Sequence, residues 1–193
     1  MRPDKNLLKQ IRQCTLCESY LPKKPTPVLQ FSASAKIMIV GQAPGIYAHN
    51  SQTPWNDASG RRLREWLNIS DELFYDTRYI AIVPMGFCYP GKGKSGDLPP
   101  RPECAKTWHS PILDNLPKLQ AILLIGQYAQ HYYLGDKETL TTRCRNWKNY
   151  WPKYLVLPHP SPRNNLWLRK NPWFEAEVIP EMQRIVQDIL KQN

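Results

Sequence analysis

The chain has 193 residues, 41% of them hydrophobic, enough for one substantial core and too few for two, so a single domain over 1–193 is expected. No window approaches the about 20 apolar residues of a membrane span, and the first twenty residues hold no unbroken apolar stretch suited to a secretory signal, so a cytoplasmic monomer without membrane contact is expected. Lys and Arg number 26 against 16 Asp and Glu, and a net charge of +10 favours a polyanionic partner through counterion release, the alternative being an ordinary solvated basic surface.

In chain order, short apolar runs suited to buried strands fall at 36–40, 79–83, 121–125 and 154–157. Between the first two, 60–67 puts Leu63, Trp66 and Leu67 on one helical face and Arg61, Arg62, Arg64 and Glu65 mostly on the other. Further helices are predicted over 104–116 and over 127–134, the latter stopped by Gly135. The C-terminal segment repeats Phe174, Val178, Met182, Ile185, Ile189 and Leu190 at helical spacing, with Pro180 as a kink or a late helix start. Strands alternating with helices imply an α/β three-layer αβα sandwich on a four-stranded, mostly parallel central sheet. Ligands of such sheets bind beyond the strands' carboxyl ends, so the loops after Val40, Val83, Ile125 and Leu157 are the candidate site.

Two of those loops carry the richest motifs. GQAPG (Gly41 to Gly45) forms a tight turn whose backbone can approach a ligand closely, and TPWNDASG (Thr53 to Gly60) leads from it into the Arg-rich helix. After the last strand, HPSPRN (His159 to Asn164) is stiffened by two prolines, with a histidine and an arginine near its ends. Asn165 and Arg169 extend it into a basic, amide-rich stretch suited to phosphates, or simply to a polar surface, and Leu166 and Trp167 are candidate wedges. Five cysteines without an export signal point away from disulfides and toward metal binding or buried thiols. Cys14 and Cys17 form C-x-x-C, Cys88 and Cys104 follow with fifteen residues between them, and Cys144 is left over.

The paired motifs resemble those of the uracil-DNA glycosylases. GQAPG with Pro54-Trp55 and the Gly60 helix is similar to the family-4 enzymes, and HPSPRN to the single-strand-selective monofunctional enzymes, over Arg12 to Trp173. The resemblance implies a [4Fe–4S] cluster on Cys14, Cys17, Cys88 and Cys104, with zinc as the rival occupant. It also implies DNA, single- or double-stranded, as partner and hydrolysis of a flipped nucleotide's N-glycosidic bond. His159 would stabilise the charge gathering on the departing base. Gly41 and Ala43 would line the base site, and Trp55 would stack on the base or serve as a core tryptophan. Arg163, Asn164, Asn165 and Arg169 would contact the DNA.

The sequence departs from the family at three positions. Gln42 and Ala43 stand where the family places water-positioning carboxylates, and Pro84 replaces the asparagine that reads uracil's edge. Glutamine orients water but takes up no proton, so Asp57 is the replacement carboxylate or, alternatively, a helix cap. The expected activity is monofunctional excision of uracil or a related deaminated or damaged base. The alternatives are a catalytically silent nucleic-acid binder and, more remotely, a small-molecule hydrolase on the same fold.

Overall fold

Strands form here because short β-branched runs can be buried on both faces of a sheet only if helices cover them. The computed structural model describes residues 3–191. Its elements begin with α1 (Pro3–Arg12), β1 (Ile37–Val40), α2 (Ile46–Ser51), α3 (Ala58–Leu67), α4 (Asp71–Tyr75) and β2 (Ile80–Ile82). A small hairpin, β3 (Lys92–Gly93) and β4 (Gly96–Asp97), comes next. The rest are α5 (Pro102–Cys104), α6 (Ser110–Asp114), β5 (Ala121–Ile125), α7 (Gln127–Leu134), α8 (Leu140–Arg145), β6 (Tyr154–Leu157), α9 (Asn165–Lys170) and α10 (Ile179–Lys191).

The four strands β2-β1-β5-β6 form one sheet in that order, every described pair parallel. Ile37 aligns with Ile80 on one side and with Ala121 on the other, and Ile122 aligns with Tyr154. The chain first steps outward from β1 to β2, then returns past β1 to β5 and β6. Right-handed crossovers therefore lay the first connection's helices on one face and the later ones on the other. The terminal helix α10 comes back to pack on α3, while α7 lies against β5 and α8 against β6. The expected α/β sandwich on four strands is what forms.

The differences from the expected elements have local causes. Strands β5 and β6 match the expected bounds, whereas β1 begins at Ile37 because Lys36 and Ile37 both donate to the Tyr79 carbonyl in a turn-like pair. Residues 102–114 form one helical run, starting earlier and ending earlier than expected, with a π turn over 105–109. A second π turn covers 174–178, immediately before α10. Each π turn is followed within two residues by a proline, Pro111 or Pro180. A proline has no N–H to return to the preceding turn, and a widened turn absorbs that loss. Pro180 thus lies inside one helical run over 173–191, directly after its π turn, and is not a late helix start. Gly135 is left-handed, with φ of 66°, and its N–H caps His131, as expected.

Helices α1, α2, α4, α8 and α9 were not anticipated. Two of them carry readable caps, since Ser70 Oγ accepts from Leu73 N and Thr139 Oγ1 accepts from Thr142 N. On α3, Arg64 departs from the polar face assigned to it: its side chain is 12% exposed and pairs with Asp71 at 2.6 Å.

Candidate active site

The loops after β1, β2, β5 and β6 and the β3–β4 hairpin enclose a cleft of about 490 Å³ at the strands' carboxyl ends. The first motif contributes Gly41, Gln42 and Ala43, the second His159, Arg163 and Asn164, and both Trp55 and Asp57 reach it. Asn165 and Arg169 do not line it and stay exposed on α9.

His159 is held by its own loop. The Ser161 N–H donates to its Nδ1 at 3.2 Å, so in the neutral ring the proton resides on Nε2. Asn164 Nδ2 donates to the His159 carbonyl at 2.7 Å, closing the loop on itself. Burial pushes the imidazole down to about 4, with Asp57 acting weakly in the other direction. Near neutral pH the site therefore offers an uncharged N–H donor.

Trp55 stands between the two motifs. Its ring centroid is 5.4 Å from that of His159, the planes 30° apart. A Cβ on Gly41 would meet Trp55 Cζ2 at 2.7 Å, so the glycine opening the first motif is the surface on which the ring rests. A Cβ on Gly60 would collide with the Trp55 carbonyl oxygen. Trp55 itself is left-handed, with φ of 57°, a conformation costing a bulky residue on the order of 1–3 kcal/mol. The ring lines the cleft and also packs on the hydrophobic core.

Asp57 caps a helix at the edge of the cleft. Its Oδ1 accepts from Gly60 N at 2.8 Å and caps α3, and the same residue lines the cleft. Gln42 turns its amide to the Leu98 carbonyl, 3.2 Å away, and so ties the first motif to the chain just past the hairpin. Arg163 donates from Nη1 to the Ser95 carbonyl at 2.7 Å, tying the second motif to the same hairpin.

The wedge expectation divides. Leu166 is 55% exposed, but Trp167 is packed beside Trp173 and Phe174 and donates from Nε1 to Thr141 Oγ1 at 2.9 Å, so Trp167 is an anchor of α9 and not a wedge. Sequence reasoning missed three supports of the cleft. Arg62 on α3 donates to Asn165 Oδ1 at 2.9 Å and reaches the Ser161 carbonyl, clasping the second motif. Asp97 enters from the hairpin. His109, fully buried, bonds the Pro84 carbonyl through Nε2 at 3.0 Å and the Tyr133 hydroxyl through Nδ1 at 2.7 Å. Only Asp97 had a local signal, its GKGKSGD setting being a turn sequence between two cysteines.

Cys14, Cys17, Cys88 and Cys104 line one small cavity between the end of α1, the loop after β2 and the start of α5. Cys144 lies elsewhere, fully buried. Burial pushes the Cys88 thiol up to about 11 and the Cys104 thiol up to about 12. Among the described residues no three His, Cys, Asp or Glu side chains are close enough to grip a single ion as they stand. Thiolates about 2.3 Å from one zinc must crowd together, whereas a multi-iron cluster holds its ligands apart at its corners. Four thiols lining one cavity are a donor set that suits either an iron–sulfur cluster or zinc.

The carboxyl-end loops of a parallel sheet thus bring an imidazole N–H donor, a carboxylate and an aromatic ring together in one cleft. The family model described as the uracil DNA glycosylase superfamily matches residues 29–183, and the chain belongs to that superfamily. The solution NMR structure of a candidate uracil DNA glycosylase from Methanosarcina acetivorans is similar to it, with 17% identity, 80% of this chain and 93% of that chain covered, and a TM-score of 0.48. Among the described residues no helix is long and apolar enough to cross a membrane.

Proposed function

We propose that the protein is a monofunctional DNA glycosylase that hydrolyses the N-glycosidic bond of uracil or a related deaminated base in DNA. The observation that carries this reading is the meeting of the two motifs: the ring of Trp55 rests on Gly41 and faces His159 across 5.4 Å. A nucleotide flipped from the stack would enter the cleft with its base against the aromatic face. As the glycosidic bond breaks, its electron pair moves onto the base, and the Nε2–H of His159 donates to the carbonyl oxygen where that charge collects. Water supplies the new bond to the sugar carbon. Asp57, whose Oδ1 is committed to the α3 cap, orients that water and receives its proton, while Gln42 fixes the loop. Arg163 and Asn164 border the cleft, with Asn165 and Arg169 outside it, giving a basic rim for phosphates.

Cys14, Cys17, Cys88 and Cys104 would hold a [4Fe–4S] cluster, zinc being the other candidate. When bound, the cluster supplies thiolate–iron ties that cross-link α1 to the loop after β2, outside the hydrolytic step.

A second reading, a nucleic-acid binder without turnover, is favoured by a specific observation. Gln42 and Ala43 occupy the first motif without a carboxylate, and the Gln42 amide and one Asp57 oxygen are both engaged by protein groups. Release of free base from oligonucleotides bearing uracil, hypoxanthine or xanthine, scored by alkaline strand scission, separates the two. Scission at any of these bases supports the enzyme. Salt-dependent binding without scission supports the binder.

A further inference from the structure

Several polar side chains around the cleft are engaged by protein groups. Gln42 donates to the Leu98 carbonyl, Arg163 to the Ser95 carbonyl and Asn164 to the His159 carbonyl. Asp57 caps α3. Pro84 offers no side-chain polar group, and its carbonyl is occupied by His109. Ser59, Gln127, Tyr128 and the exposed Asp97 line the cleft with side chains that have no hydrogen-bond partner among the described residues, and of these only Asp97 carries a charge.

Two ties hold the backbone on either side of Asp97. Arg163 binds Ser95 on one side of it and Gln42 binds Leu98 on the other, so each catalytic motif grips the hairpin. The side chain lies over the first motif, where a Cβ on Gly45 would stand 3.3 Å from Asp97 Oδ2. It therefore fills the space that a side chain at the motif's last glycine would otherwise take.

An ionised carboxylate only accepts hydrogen bonds. In a cleft for a polyanion it is repelled by phosphate, which directs it to an N–H on the bound base. Deamination creates such a group: the ring nitrogen beside the altered carbon changes from an acceptor into an N–H donor. Resting on the glycosylase reading above, we propose that Asp97 is a specificity-determining residue that accepts the ring N–H of a deaminated base, the duty that Pro84 cannot perform. Burial and the negative charge of Asp57 raise its carboxyl above the usual range, and Arg163 opposes them.

The test compares single-stranded oligonucleotides bearing uracil or 3-methyluracil, which lacks the ring N–H, with wild type, Asp97→Ala and Asp97→Asn, after circular dichroism has established that each is folded. Wild type is expected to prefer uracil in kcat/KM by about 10- to 100-fold, since a hydrogen bond to a charged group is at stake. Asp97→Ala is expected to bring that ratio close to one, and Asp97→Asn to fall between. An undiminished ratio in Asp97→Ala, or no preference in wild type, overturns the proposal. If wild type releases neither base, the glycosylase reading fails on its own. The same ratio is then taken from affinities for the two oligonucleotides, and an affinity ratio that is absent in wild type or unaffected by Asp97→Ala overturns the assignment of Asp97.

Discussion

Trp55 and His159 face each other with ring centroids 5.4 Å apart, although 104 positions separate them in sequence (159 minus 55). Their contact joins the segment between α2 and α3, whose Trp55 ring rests on Gly41 after β1, to the loop after β6. His159→Ala is expected to lower kcat for base release by about 100- to 1,000-fold, the usual cost of one donor to developing negative charge. DNA affinity, measured by fluorescence anisotropy, should change little. A variant with wild-type turnover would remove His159 from the chemistry.

Asp57 is expected to separate its two duties under substitution. Asparagine still accepts a cap bond, so Asp57→Asn should keep its melting temperature and lose turnover by about 100-fold or more. Asp57→Ala should lose turnover and about 1 kcal/mol of stability as well. Equal stability losses in the two variants, read from urea unfolding, would contradict the cap.

Gly60 is required by its neighbour, because a side chain there would overlap the Trp55 carbonyl oxygen. Gly60→Ala is expected to destabilise the fold by about 2–4 kcal/mol, through a displaced backbone, despite alanine's better helix propensity. Thermal unfolding measures it, and a stabilised variant would contradict the contact.

Two histidines, His109 in the core and His159 at the cleft, set an acid limit. Burial lowers both His109 and His159 to about 4 from an ordinary 6.5. Between those values the unfolded chain binds protons that the folded chain does not, so stability is full above about 6.5 and falls as pH drops toward 4. Each contributes on the order of 1–3 kcal/mol to that fall. His109→Gln should flatten the profile measured by urea midpoints. A profile unchanged by that substitution would contradict the contribution of His109.

The four-cysteine cavity gives an optical test. Anaerobically purified protein is expected to absorb in the visible, Cys104→Ala to lose the colour and Cys144→Ala to keep it. Colourless protein carrying one zinc per chain would replace the cluster with zinc.

The sheet was legible because its four runs, such as Ile37 to Val40, are short and apolar and alternate with helical segments. The two motif loops were legible because each begins where such a strand ends. What stayed hidden has no local signature. Nothing in sequence pairs Arg62 with Asn165, or His109 with the Pro84 carbonyl, since those bonds exist only after distant elements dock. Trp167 misled for a related reason: its loop position suggested exposure, while Thr141, Trp173 and Phe174 supplied a buried seat. Asp97 lay in plain view between two cysteines, but its place over Gly45 depends on the hairpin folding back onto the first motif.

Single-turnover incubation, with protein in excess over an end-labelled oligonucleotide bearing one uracil, tests the joint work of the two motifs most directly because even slow chemistry then accumulates product. The expected result is alkali-sensitive scission at the uracil with wild type, with the rate reduced at least about 100-fold by His159→Ala. Intact strands after prolonged incubation with uracil, and equally with hypoxanthine and xanthine, would contradict it.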